Sequence, residues 1–351
     1  MNIEPYSAIV VASYGGPNQP DDVLPFMRNA TRGKGIPDER LMEVSEHYML
    51  FGGKSPINEL NAKLVDALQA ELHRRGADVP VVIGNRNWEP YMSDVVHELV
   101  DGGHKRVLAV ATSAYQSYSN CRQYHEDLVQ ASDEQPIVID KLDPFWWAPE
   151  FASANARRIV ASWRALRERI GDVKARLVFV THSIPVGMEE RSGPGAPSLH
   201  YQAQHLQVAQ QVAELAADEL GEALTWDLAF CSRSGPPHVP WLEPDVNDHL
   251  EAIVDEVDGV VVAPIGFIAD HMEVAFDLDT EAAQTARGLG LAYERAGTVG
   301  VDDEFVGMLV DHIEDAARRA SEGKPVADYC QFAGGACCLP PQRPTRTGAP
   351  S

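Results

Sequence analysis

Residues 8–16 read AIVVASYGG. A short run of small and β-branched apolar residues, closed by a Ser-Tyr-Gly-Gly turn, reads as a strand buried on both faces. The same form recurs at 79–83 (VPVVI), 107–111 (VLAVA) and 137–139 (IVI). It returns at 177–180 (LVFV), 228–230 (LAF), 260–263 (VVVA) and, weakly, 291–293 (LAY). Between the runs lie helical patterns at 61–75, 150–169, 201–220 and 302–321. Buried strands alternating with amphipathic helices imply βαβ units and parallel sheets. The predicted fold class is α/β, with two Rossmann-like doubly wound halves. Residues 1–148 form the N-terminal half, 149–322 the C-terminal half, and 323–351 a Cys-rich segment with a disordered tail. The pattern at 150–169 is expected to link the halves, and the last helix to pack back on either.

The chain has 351 residues. At about 150 residues per domain that is enough for two cores. With 52 acidic and 29 basic side chains, the net charge is −23. This excludes general nucleic-acid binding, which needs a basic face to displace counterions. It also disfavours docking on anionic lipid. A small anionic ligand would need a local basic pocket. The first residues lack a basic signal-peptide region, and no run reaches about 18 apolar residues. A cytoplasmic protein without a stable membrane anchor, favoured as a monomer, is the expectation. Five cysteines cannot all pair into disulfides.

In open parallel sheets, ligands bind beyond the carboxyl ends of strands, so the residues following each run are the candidates. His182 directly follows the LVFVT run; it is either a hydrogen-bonded loop residue or a base with a usefully placed pKa. Glu273, Asp277 and Glu281 recur every four residues in MEVAFDLDTE. On a helix they share one face. They are either a solvated acidic face or a ladder of oxygen ligands for Mg²⁺, Ca²⁺ or a ferrous ion in transit. Tyr14 ends the first strand; Tyr124 ends the TSAYQSYSNCRQY segment after the third. Neither a GxGxxG nor a P-loop pattern occurs, so nucleotide binding has no support. Arg28, Arg32, Lys34 and Arg40 form a basic patch among Gly and Pro, read as a loop suited to carboxylates. Cys330, Cys337 and Cys338 lie in a Gly-rich stretch. Their spacing fits no common zinc or ferredoxin motif, yet metal or Fe–S ligation explains it better than buried thiols do. A fourth thiolate would come from Cys121 or Cys231.

Taken together, ASYGGP at Tyr14, FGGKSPI at 51–57, GNRNWEP at 84–90, THSIP at His182, SRSGPPHVPWL at 232–242 and PIGFIADHMEVAFDLDTE at 264–281 resemble the ferrochelatase family, in its order, over about residues 7 to 320. The Cys-bearing C-terminal extension resembles that of actinobacterial coproporphyrin III ferrochelatases carrying a 2Fe–2S cluster. The resemblance implies two Rossmann-like halves with their sheets facing a porphyrin cleft. It implies a lyase of haem biosynthesis that inserts Fe²⁺ into coproporphyrin III and yields coproheme. His182 would remove pyrrole protons, with Glu273 on the same side of the macrocycle; both would meet the Fe²⁺ substrate. Asp277 and Glu281 would relay protons or metal. Tyr14 would face the metal from the other side, while Arg32, Tyr48, Ser55 and Tyr124 would contact substrate. Cys121, Cys330, Cys337 and Cys338 would hold the cluster, leaving Cys231 over, and the adjacent Cys337 and Cys338 would have to diverge. The competing readings are a protoporphyrin IX enzyme, a chelatase for cobalt or nickel, and a non-catalytic haem or iron sensor on the same fold.

Overall fold

The computed structural model describes residues 1–33, 35–193, 196–235, 238–327 and 337–340. Lys34, Cys330 and the proposed tail beyond 340 lie outside the described residues. Eight strands form two four-stranded parallel sheets. The first holds β1 (Ile9–Ser13), β2 (Val81–Asn85), β3 (Arg106–Ala111) and β4 (Val138–Lys141) in the order β2-β1-β3-β4. The second holds β5 (Ala175–His182), β6 (Trp226–Cys231), β7 (Gly259–Ala263) and β8 (Ala292–Arg295) in the matching order β6-β5-β7-β8. Each half therefore has its switch point beside its first strand, between β1 and β3 and between β5 and β7.

Alternation sets which layer each residue joins. Leu177 and Phe179 of β5 face the main core, while Val178 and Val180 face the opposite helices. Ile9 and Val11 of β1 enter that same main core, so a single apolar cluster runs through both halves. Burying each such side chain stabilises by about 1.5–3 kcal/mol.

The predicted strands are displaced where pairing overrides composition. β2 starts at Val81 rather than residue 79 because Pro80 has no N–H to donate, while its carbonyl accepts from Ile9 at 2.9 Å. β5 extends through polar Thr181 and His182 because its end is still paired with β6. Among the helices outside the four expected patterns are Pro20–Ala30 and Asp38–Met49. They place Arg28 and Arg40 on helices rather than in the expected basic loop.

The helix Pro149–Ile170 packs on the helix Tyr201–Leu220 and on β7 and β8. The last helix, Asp303–Ser321, contacts both the helix Ile57–Arg74 and the helix Pro149–Ile170. Arg75 reaches it from the first half, pairing with Asp311 and donating to the Gly307 carbonyl at 3.1 Å. Arg157 reaches it from the second, 2.6 Å from Glu304. This helix ties the two halves together.

Candidate active site

β1 and β5 hold equivalent places in their sheets, and their carboxyl ends carry Tyr14 and His182. Gly15 turns the chain behind Tyr14 with φ +77, and a Cβ there would stand 2.9 Å from Asn85 Cβ. Only glycine fits that conformation and that space. Asn87 donates its backbone N–H to the Tyr14 carbonyl at 3.1 Å. The Tyr14 ring meets Phe26 edge-on at 6.1 Å, and Phe26 in turn meets Tyr48 at 6.1 Å. Tyr14 is 38% exposed, yet desolvation of its hydroxyl, then the Glu273 charge, pushes the phenol above the ordinary range. Burial raises Tyr48 likewise, followed by Glu273, Tyr14 and Asp277. Two neutral phenols of the first half thus lie within the electrostatic reach of an acidic wall in the second.

On that wall the tautomer of His182 is set by its neighbour. Its Nδ1 is bonded to the Ser183 carbonyl, which only accepts, so Nδ1 carries the proton. In the neutral ring the lone pair sits on Nε2, 3.5 Å from Glu273 Oε2. Burial opposes charge on the ring, but Glu273 and the Ser183 carbonyl outweigh it, and the His182 pKa is raised. His271, which sequence reasoning left without a role, accepts the Glu273 backbone N–H on Nδ1 at 3.1 Å. Burial, with His182 adding and Glu273 opposing, lowers the His271 pKa. Its signal was the Asp-His-Met-Glu order itself.

Behind His182 the strand is braced. Thr181 Oγ1 lies 2.7 Å from the Tyr201 hydroxyl and 2.9 Å from His205 Nε2. His205 Nδ1 donates to the Tyr201 carbonyl at 2.8 Å, so its Nε2 accepts from Thr181. Burial depresses the His205 pKa to about 3. The Tyr201 hydroxyl lies 3.1 Å from the His182 carbonyl oxygen. Gly266 presses on this brace: a Cβ there would lie 2.1 Å from Thr181 Oγ1. Gly266→Ala is expected to destabilise the fold by about 1–3 kcal/mol. Urea unfolding of the variant checks this, and an unchanged midpoint would contradict it.

The acidic row continues from Glu273 along a π-helix, Val274–Ala282, where an α-helix was expected. The Thr280 hydroxyl bonds to the Ala275 carbonyl five residues back at 3.2 Å, a side chain entering the helical ladder. Ser232, held at φ +63 just past β6, donates to Asp277. Burial raises the Asp277 pKa to about 7, against the Ser232 bond and with help from Glu273 and Glu281. Burial also raises Glu281, with His47 opposing. His47, from the first half, stacks on Phe276 at 3.8 Å, so the row passes under a contact between the halves.

The expected substrate contacts divide. Arg32 is exposed, with its guanidinium on Asn29 at 2.8 Å, whereas Arg28 pairs with Asp38 and Arg40 with Glu43, each at 2.6 Å. Arg32 is thus the cation of this patch whose described partner is neutral. Ser55 is buried beneath Gly16, where a Cβ would approach it to 2.7 Å. Tyr124 is also buried, with the Arg86 guanidinium 4.3 Å over its ring. Both side chains are thus largely enclosed by the first half. Arg86, which sequence reasoning passed over in GNRNWEP, has a buried Nη2 with no partner among the described residues.

Cys121 is buried in a π-turn, Tyr118–Arg122, and packs on Ala327. The adjoining Arg122 donates to the Cys337 carbonyl at 3.0 Å. Cys338 is buried with φ +48, a left-handed step that re-aims the side chain relative to its neighbour. Cys231 lies elsewhere, its Sγ 3.3 Å from Ser232 Oγ beside the acidic row. Burial, then Asp277, raises its thiol pKa. Among the described residues, no three or more His, Cys, Asp and Glu form a group that could hold a metal ion. No described helix is long and apolar enough to cross a membrane.

The sequence model of the family described as ferrochelatase matches residues 6–317. The chain belongs to the ferrochelatase family. Among curated ferrochelatase relatives, the coproporphyrin III ferrochelatase of Streptomyces griseus is 44% identical over 99% of this chain and 97% of its own. That of Leifsonia xyli is 45% identical over 92% of this chain and 86% of its own. That of Mycolicibacterium smegmatis is 43% identical over 95% and 98%. Among solved structures, SirB from Bacillus subtilis with Fe³⁺ matches at a TM-score of 0.50 and 14% identity, covering 91% of this chain and 98% of that one. That likeness concerns the fold alone.

Proposed function

We propose that this ferrochelatase inserts Fe²⁺ into coproporphyrin III, releasing two protons and forming coproheme in haem biosynthesis, as a lyase. The observation that carries the reading is the His182–Glu273 pair. Its Nε2, the nitrogen that takes a proton when the ring is neutral, lies 3.5 Å from a carboxylate whose charge also reaches the phenols of Tyr14 and Tyr48.

A flat macrocycle hides its nitrogens from the metal, so binding must strain it toward the inserted geometry. The pyrrole protons must also leave, which needs a base over the ring centre. His182 Nε2 takes a proton, and Glu273 stabilises the resulting imidazolium. Asp277, with a pKa near neutrality at about 7, is suited to receive the proton next and pass it toward Glu281. Exposed Arg32 is the cation we assign to a propionate. The names of the relatives, at 43–45% identity across nearly the whole chain, support coproporphyrin III over protoporphyrin IX.

Insertion should speed up as pH rises through the His182 transition, above its ordinary value of about 6.5, because only neutral imidazole accepts a proton. Glu273→Gln removes the charge that favours imidazolium. It should lower kcat by about 10²-fold and move this limb to lower pH. A pH–rate profile checks both, and a limb unmoved by the substitution would contradict the pairing.

We also propose a 2Fe–2S cluster on Cys121, Cys330, Cys337 and Cys338. Support comes from the proximity of Cys121, Ala327 and the Cys337 backbone, and from the soft thiolate donors. Such a cluster supplies one-electron redox chemistry, which metal insertion does not use; stability or redox sensing are the roles left to it.

A further inference from the structure

Resting on the reading above, we propose that Arg295 is a positioning residue for metal insertion, acting through Glu273. It ends β8, the edge strand, away from the catalytic histidine. Its guanidinium forks to two carboxylates at once. Nη1 and Nη2 reach the two oxygens of Asp270 at 3.2 and 2.9 Å. Nε and Nη2 reach the two oxygens of Asp279 at 2.7 and 3.1 Å. Nη1 also donates to the Ala296 carbonyl at 3.3 Å.

The two carboxylates bracket the functional row. Asp270 lies three residues before Glu273, in the loop leaving β7. Asp279 lies two residues after Asp277, and two steps along a helix turn a side chain to the opposite side. The fork therefore grips the back of the π-helix while Glu273, Asp277 and Glu281 occupy its front. β8 pairs with β7 and β7 with β5, so Arg295 ties the Glu273 segment to the sheet that carries His182. A row of like charges on one helix repels itself, and this anchor holds it in register. Planar bidentate pairing is a property of arginine that lysine lacks. The guanidinium is well packed, with 17% of its side chain exposed.

The test measures steady-state Fe²⁺ insertion into coproporphyrin III by Arg295→Met, Arg295→Lys and Asp279→Asn, with KM and kcat separated. Arg295→Met should lose about tenfold in kcat while porphyrin KM stays within about twofold, since the porphyrin wall is untouched. Arg295→Lys keeps the charge but not the fork, and should stay nearer the Met variant than the wild type. Asp279→Asn removes one arm from an exposed partner and should lose about threefold in kcat. If Arg295→Met does not fold, the other two variants decide. Wild-type kcat in Arg295→Met, full recovery by lysine, or a loss confined to KM would overturn the proposal. Wild-type protein that inserts no iron would instead overturn the functional reading on which it rests.

Discussion

Replacing His182 with alanine is expected to slow iron insertion by about 10²–10⁴-fold, the contribution of a positioned general base, while porphyrin affinity changes by no more than a few fold. The imidazole does two things that no neighbour duplicates. Its Nδ1–H is committed to the Ser183 carbonyl, so Nε2 stays available as acceptor. It also lies 3.5 Å from the carboxylate that stabilises its protonated form. His271 cannot substitute, because its Nδ1 already accepts the Glu273 backbone N–H. The fold should survive the substitution, since the brace behind the site is built from Thr181, Tyr201, His205 and the His182 backbone rather than its ring. Fluorescence quenching by porphyrin and stopped-flow insertion measure the two quantities separately. Near-normal turnover would remove His182 from the mechanism; lost binding with normal chemistry at saturation would make it a substrate contact.

Replacing Cys121 with serine is expected to abolish the visible absorption of the purified protein and its acid-labile sulfide. Cys231→Ser should leave both unchanged. Cys121 is buried against Ala327, beside the arginine that holds the Cys337 carbonyl, so it stands where the C-terminal segment returns to the fold. Cys231 stands at the end of β6 by Ser232 and Asp277, among carboxylates. Serine is a poor ligand for iron that favours thiolate. Iron and sulfide assays on the two variants decide the assignment. Colour kept by Cys121→Ser and lost by Cys231→Ser would reverse it.

Strand positions were legible because buried parallel strands are nearly continuous apolar runs, and each end then points to its turn. That rule singled out Tyr14 and His182 as candidates, and only the resemblance implied their roles. What composition could not show was which polar residues continue a strand: Thr181 and His182 pair with β6 although neither is apolar. The two early helices escaped because Gly, Pro and charges around 31–37 masked their short amphipathic faces. The acidic row was visible as a spacing, but periodicity does not encode the π-helix that carries it, in which Thr280 bonds back to the Ala275 carbonyl. Ser55 and Tyr124 were expected to contact substrate; the structure buries both, with Gly16 and Arg86 packed against them, which composition does not show. His271, Arg86 and Arg295 were missed for a related reason. Each matters through a partner distant in sequence or through backbone geometry.

The most direct test of the account is anaerobic steady-state turnover of the full chain with Fe²⁺ and each of coproporphyrin III and protoporphyrin IX, on protein of measured iron and sulfide content. The account predicts many turnovers, with kcat/KM for coproporphyrin III roughly tenfold or more above that for protoporphyrin IX. No turnover, a single stoichiometric binding event, or a preference for protoporphyrin IX would contradict it.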